Sequence, residues 1–193
     1  MSFETPLPPY NASDPQASFL NSSCFDLLLI EMVPFAYRLA QQLTVERSGA
    51  NTQVDDEEQR EAVFRRLDAL GYRVGQGLVE RFSRDRPRFT DTLDMIKFLC
   101  KDIWILVFRK QIDNLKTNHR GVYVLTDHSF RPFARMSMSS PSEALARVQP
   151  FLWFPCGIIR GVLAGMGIEA TVQAETVELP GATFQIKTVT TNI

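Results

Sequence analysis

The segment DTLDMIKFLCKDIWILVF (91–108) constrains this chain most, because its only polar stripe is Asp94, Lys97 and Lys101 and it closes on six consecutive apolar residues, Ile103 to Phe108. A helix that is hydrophobic nearly all round must be covered from every direction. A chain of 193 residues has little material to provide that cover alone. The whole stretch from Leu70 to Gly121 therefore reads as a scaffold for a partner, and it holds almost no catalytic chemistry.

The rest of the sequence fits one domain of α+β class. Hydrophobic residues make up 45% and charged residues 22%, the balance of a single core. A formal charge of −1 gives no field that would gather nucleic acid. Cys24, Cys100 and Cys156 are odd in number and far apart, which suits free thiols in the cytosol better than a disulfide framework. The first twenty residues lack a signal-peptide pattern, and no apolar run reaches the ~20 residues of a membrane span, so membrane contact is expected to be peripheral.

Residues 1–20 hold four prolines without apolar periodicity and are expected to form a flexible tail, leaving 21–193 as the domain. Ser23 and Asp26 suggest a capping box. Phe25, Leu28, Met32, Ala36, Leu39 and Leu43 then follow at spacings of three and four, with Leu27, Ile30, Val33 and Tyr37 on the remaining sides, and Pro34 predicts a kink or break. Residues 44–56 are polar and read as an exposed loop. Asp55 or Asp56 can cap a second helix carrying Val63, Leu67 and Leu70, which Gly71 punctuates before a shorter segment through Val74, Leu78 and Phe82. Gly75 and Gly77 suit a crowded helix crossing.

Asp91 is the expected start of the apolar helix. Ile112–Lys116 and Val122–Thr126 form a hairpin over a polar turn, and Phe130–Phe133 reads as a short edge piece. Ser140, Pro141 and Glu143 mark a helix start, and Pro155 begins a buried helix ended by Gly165 and Gly167. Alternation over 168–176 and 184–188 gives a second hairpin, with Leu179, Pro180 and Gly181 as a type II turn. The expected fold is thus several helices on one face of a twisted antiparallel sheet made of two hairpins.

Chemistry-bearing residues are sparse. Cys156 near a helix start could carry a lowered thiol pKa, but its neighbours Phe154, Ile158 and Ile159 predict burial, which raises it. His119 and His128 fall in or beside turns. No CxxC or HxxxH spacing suggests zinc, and neither GxGxxG nor GxxxxGK[ST] occurs. No cofactor is expected. Arg160, flanked by Ile159 and Gly161, needs carboxylate or carbonyl partners. Arg81, Arg84, Arg86 and Arg88, with Lys97, Lys101, Arg109 and Lys110 beyond, form the concentrated positive region, suited to a solvated face or to weak attraction to an anionic bilayer.

Three stretches, GYRVGQGLVERF (71–82), RFTDTLDMIKFLCKDIWILVFRKQIDNLKTNHRGVYVL (88–125) and FPCGIIRGVLAGMGI (154–168), resemble the small paralogous subunits of the TRAPP vesicle-tethering complex. The resemblance implies a non-enzymatic subunit that joins a paralogue through its helical face. The implied complex tethers vesicles in ER-to-Golgi and Golgi transport and promotes nucleotide exchange on a Rab GTPase, which this subunit serves indirectly. A related member carries an acylated cysteine in the loop before the helix corresponding to 91–108. Here that loop, Phe82 to Phe89, has no cysteine.

Two competing readings follow. In the first, Phe25, Leu28, Met32, Leu39, Val63, Leu67 and Leu70 form an interface for a paralogous subunit, or for a second copy in isolation. In the second, Phe98, Trp104 and Phe108 line an apolar pocket between the 91–108 helix and the sheet that binds a lipid or small molecule. A thiol enzyme built on Cys156 is a third, thinner reading.

Overall fold

The computed structural model describes residues 20–48, 56–84, 86–118, 120–136, 145 and 147–189. Helix α1 spans Ser22–Ser48. Its start is set by Asn21 rather than by a Ser23–Asp26 box: Ser23 N–H donates to Asn21 Oδ1 at 2.9 Å, and Cys24 N–H donates to the Asn21 carbonyl at 3.0 Å. Asp26 is occupied elsewhere, accepting from Arg131 Nε at 2.7 Å and Arg135 Nε at 3.2 Å. Pro34 does not end the helix, because Leu29, Val33, Ala36 and Ala40 are buried on either side of it and hold both halves in place. Thr44 also stays helical, its hydroxyl donating to the Ala40 carbonyl at 2.9 Å. The polar loop expected over 44–56 thus narrows from the N-terminal side, and residues 49–55 lie outside the described residues, as does the expected tail before Leu20.

Helix α2, Asp56–Ser83, is continuous, with an acidic first turn of Asp56, Glu57 and Glu58 that suits its N-terminal dipole. Gly71 does not punctuate it. Gly71 and Gly75 are instead where α2 meets a later helix, Trp153–Gly165 (α5 below), in the most extensive helix contact of the fold. A Cβ at Gly71 would sit 2.1 Å from the Phe154 carbonyl oxygen, and one at Gly75 2.3 Å from that of Ile158. The contact is reciprocal: a Cβ at Gly157 or Gly161 would lie 2.1 Å from the Asp68 or Tyr72 carbonyl oxygen. Backbone therefore touches backbone, which only glycine permits. Gly77, expected to share this role, is exposed with nothing within 4 Å of its Cβ position.

Asp91 caps α3 (Thr92–Phe98), accepting from Asp94 N–H at 2.7 Å. The helix continues through a π-helical turn, Leu99–Ile103, into α4, Trp104–Phe108. This apolar rod needs no partner for its cover. Ile96, Phe98, Leu99, Ile103, Trp104 and Phe108 are all at most 2% exposed within the chain itself. Trp104 lies 4.5 Å from Phe108 and 5.2 Å from Phe184, ring centre to ring centre.

The sheet comprises β1 (Asn114–Thr117), β2 (Val122–Asp127), β3 (Ala170–Glu175) and β4 (Ala182–Thr188), antiparallel in the order β1-β2-β4-β3. Two hairpins thus meet along the β2–β4 ladder, with Leu125 opposite Phe184 and Tyr123 opposite Ile186. Their buried phase, Tyr123, Leu125, Asp127, Ala182, Phe184 and Ile186, faces the helices. The segment Arg131–Phe133 is a 3-10 turn rather than an edge strand, with Pro132 in its first turn, a position that asks nothing of the missing N–H. The helix start expected at Ser140 lies outside the described residues. A 3-10 turn, Gln149–Leu152, leads into α5, Trp153–Gly165, with Pro155 in its first turn. The connection between β3 and β4 also differs from expectation. The Leu179–Pro180 peptide is cis and Gly181 N–H donates to the Glu178 carbonyl at 2.8 Å, so proline sits at the second central position of a type VI turn.

Candidate interaction surface

Helix α1 carries two apolar stripes with one spacing. Leu29, Val33, Ala36 and Ala40 are buried, and Leu29, Val33 and Met32 close over Pro132, Phe151, Phe154 and Pro155. Leu28, Met32, Phe35 and Leu39 repeat the same four-three-four steps one residue earlier, so they stand about 100° round the helix from the first set. Leu28 is 57% exposed and Phe35 56%, Met32 and Leu39 are half-buried, and Leu43, 36% exposed, extends the row. Leu27 and Val45 add further exposed apolar surface. Large apolar side chains in a row on the outside of a helix mark an interaction surface when they are contiguous rather than scattered.

The residues expected at the interface divide. Leu28 is exposed, and Phe25, Met32, Leu39 and Leu70 are half-buried at its margin. Val63 and Leu67 are 0% and 2% exposed, so both belong to the interior and offer a partner nothing. Phe35 and Val74, the latter 37% exposed, were missed. The signal for Phe35 was its place in the Leu28, Met32, Leu39 series. Val74 prolongs the row Val63, Leu67, Leu70 to where cover by the described residues thins.

The basic region is more neutralised than its composition suggests. Arg86 pairs with Asp102 and lies 4.8 Å over the Phe98 ring. Arg81 lies 5.6 Å over Phe82. Lys97 pairs with Asp94 at 3.5 Å, whose carboxyl is held below its ordinary range chiefly by the hydrogen bond from Thr90. Arg84 and Arg88 remain exposed. Arg86 and Arg88 share a shallow groove of about 260 Å³ with Lys97 and Lys101.

Residues weighed for chemistry serve the fold. Cys100 and Cys156 are buried, and burial pushes the Cys100 thiol up to about 12 and that of Cys156 further still, with the nearby Asp68 adding to the latter. Thiols held so high are poor nucleophiles. His128 is exposed, and its backbone N–H donates to Asp113 Oδ2 at 2.7 Å; His119 lies outside the described residues. Arg160 has its expected carboxylate, Asp68, and stacks 4.4 Å over Tyr72 beside the glycine crossing. Among the described residues no group of histidine, cysteine and acidic side chains could hold a metal ion, and no helix is long and apolar enough to cross a membrane.

Asp127 is the polar centre that sequence reading missed. It is fully buried, yet its Oδ2 accepts from Trp104 Nε1 at 2.9 Å and its Oδ1 accepts from Lys110 Nζ at 2.7 Å and Ser129 N–H at 3.0 Å. Lys110 also reaches Asp113 at 2.7 Å. The aspartate thereby ties α4 to the end of β2. Trp104 and Phe108 pack here with Phe130, whereas Phe98, 2% exposed, meets Phe89 at 5.3 Å and forms the floor of the Arg86 groove.

Comparison with known proteins agrees with this architecture. Residues 25–189 match the family described as Transport protein particle (TRAPP) component. Human trafficking protein particle complex subunit 6B is 43% identical over 166 residues, covering 86% of this chain and 96% of the relative. Human subunit 6A is 48% identical over 120 residues, 62% of this chain and 74% of the relative. Among solved structures, trafficking protein particle complex subunit 3 from Naegleria fowleri, covalently bound to palmitic acid, superposes with a TM-score of 0.58 over 88% of this chain and 97% of that one. At 11% identity that likeness speaks for the fold alone.

Proposed function

The chain belongs to the TRAPP component family, and from that premise we propose that it is a structural subunit of a TRAPP-type vesicle-tethering complex, resembling subunit 6, that heterodimerises with a paralogous small subunit through the outer stripe of α1. One observation carries the reading: exposed Leu28, Phe35 and Leu43, with half-buried Met32 and Leu39 between them, form an apolar row whose outer side the described residues leave open. The exposed end of α2 at Val74, with Leu70, widens it. Apolar rows of this kind are satisfied by a second helical layer, and a stable interface needs at least ~1,000 Å² of buried surface, more than one helix row provides. Leu70 and Phe25 are therefore assigned to its rim.

The subunit contributes architecture, and nucleotide exchange on a Rab GTPase belongs to the assembled complex. We place the complex on the cytoplasmic side of ER and Golgi membranes in ER-to-Golgi and Golgi transport, with contact at the bilayer peripheral and Arg84 and Arg88 the exposed cations nearest that role. An acyl group is not carried over from the palmitate-bound structure, because the loop from Phe82 to Phe89 has no cysteine.

The test is size exclusion with light scattering of the full chain, alone and coexpressed with a paralogous small subunit. A one-to-one heterodimer is expected, with a homodimer through the same row when the partner is absent. The double variant Leu28→Asp and Phe35→Asp is expected to abolish both while leaving the helical circular dichroism intact. Heterodimer formation unaffected by that variant would refute the assignment of the surface.

A further inference from the structure

We infer that the outer edge of β3 is an acceptor for an extended, basic-flanked peptide segment from another protein, which adds to the sheet as a fifth strand. Sheet order leaves β3 with one neighbour, β4. In an antiparallel ladder a residue's N–H and C=O point the same way, and successive residues alternate. The Glu169 carbonyl accepts from Val189 N–H at 2.8 Å, which puts Glu169, Thr171, Gln173 and Glu175 toward β4. Ala170, Val172 and Ala174 therefore present their backbone groups outward. A second contact fixes the same parity, since Gln149 Nε2 donates to the Ala174 carbonyl at 3.2 Å from the outer side. That glutamine is a side-chain stand-in for one donor of an incoming strand.

Among the described residues, the Gln149 side chain covers this edge at Ala174 alone and leaves Ala170 and Val172 open. Sheet edges are normally protected by shortness, a bulge, proline or an edge lysine. β3 pairs without interruption from Ala170 to Glu175 and contains none of these. The opposite edge, β1, is four residues long and carries Lys116. Beside β3 lies a groove of about 670 Å³ whose apolar lining is Phe64, Trp153, Cys156, Val172 and Ala174, with Gln149, Glu175 and neighbouring sheet residues supplying a polar side. Phe64 is 40% exposed there and meets the Trp153 ring edge-on at 5.6 Å. An added strand would set alternate side chains against the apolar side of that groove while its backbone pairs with Ala170 and Val172, the recognition mode of strand addition.

Charge selects the partner's flanks. Exposed Glu169 and Glu175 bracket the strand, Glu178 follows in the turn, and residues 168–181 contain no lysine or arginine. A segment with lysine or arginine on either side of a short apolar-alternating stretch matches this edge. The reading does not depend on what binds α1, because the edge and the α1 row draw on different residues.

The test uses the full chain and a capped peptide probe of alternating valine and threonine flanked by lysines, followed by amide hydrogen exchange and ¹H–¹⁵N spectra. Without the probe, the Ala170 and Val172 amides are expected to exchange as open groups. With it their protection is expected to rise at least about tenfold, and the Gln149 side-chain amide is expected to shift. Val172→Pro removes an outward N–H and leaves the β4 ladder intact, so it should keep the fold and lose the probe. A probe N-methylated at alternate residues should bind at least about tenfold more weakly, a control that leaves the protein untouched. Glu169→Gln with Glu175→Gln should weaken the lysine-flanked probe. Ala170 and Val172 amides already protected in the free chain, no binding of the probe, or binding indifferent to its N-methylation would each overturn the inference.

Discussion

Replacing Gly71 by alanine sets two effects of opposite sign against each other on one helix. Alanine is favoured over glycine in a helix interior by about 1 kcal/mol, so an unconstrained site should gain. At Gly71 the new Cβ would lie 2.1 Å from the Phe154 carbonyl oxygen, 2.9 Å from Ile158 N and 3.0 Å from Gly157 Cα. All three are backbone atoms and cannot rotate aside. Real Cβ contacts essentially never fall under 3.0 Å, so α2 and α5 must part by about 0.9 Å. A gap of 0.5–1 Å forfeits roughly a quarter to a half of the dispersion at each contact it opens, and overpacking of this sort costs about 1–3 kcal/mol by itself. Set against alanine's gain, that cost together with the forfeited dispersion leaves a net expected loss of about 1–3 kcal/mol, a fall of roughly 2–12 °C in Tm for a chain of this length. Gly77→Ala, six residues on with open space at its Cβ, should gain about 1 kcal/mol and rise by about 2–4 °C. Thermal unfolding of both variants by far-UV circular dichroism decides the matter. Gly71→Ala melting at or above the parent would refute the claim that backbone contact there requires glycine.

Asp127→Ala should cost about 2–4 kcal/mol, since it leaves the Trp104 indole N–H buried without its acceptor and Lys110 with one carboxylate fewer; a lowered urea midpoint at unchanged m-value would register it. The carboxyl of Asp26 is lowered mainly by the hydrogen bond from Arg131, with Arg135 assisting. A group depressed on folding stabilises above its unfolded value of about 3.9 and loses that contribution as pH falls through the folded one. Asp26→Asn should therefore flatten part of the fall in stability below about pH 4, and an unchanged acid limb would contradict the pairing. Under native conditions a thiol reagent should label exposed Cys24 promptly and spare Cys100 and Cys156 until denaturant is added; mass spectrometry counts the adducts.

Much of this molecule could be read from the chain, and what escaped shares a cause. Alternation revealed β3 and β4, Asp91 announced its helix, and the apolar surroundings of Cys156 foretold burial, because each is a local pattern with one physical solution. Gly71 has two readings in sequence, since glycine ends helices and also lets them touch, and only the position of α5 tells which. Pro34 predicts a break only so long as the tertiary contacts that anchor both sides of it are out of view. The strength of apolar periodicity says that a residue seeks cover and not whose cover it finds. Hence Val63 and Leu67, whose periodicity suits a partner, are core, while Phe35 stands outside. The apolar segment 91–108 called for cover from elsewhere and found it in the chain's own Phe130 and Phe184. Asp127 lay in the inward phase of β2, two residues after Leu125, and that phase was its only trace.

The two rows of α1 have a consequence for how insertions would be tolerated. One is the other displaced by a single position, so one residue added upstream of Leu28 would turn the helix by about 100° and present Leu28, Met32, Phe35 and Leu39 to the interior in place of Leu29, Val33, Ala36 and Ala40. Both sets are greasy, and polarity would not object. Volume would: a phenyl ring and an isobutyl group cannot enter the spaces that two alanines fill. The bulk of its side chains, rather than their affinity for water, is what gives this helix a single permitted phase.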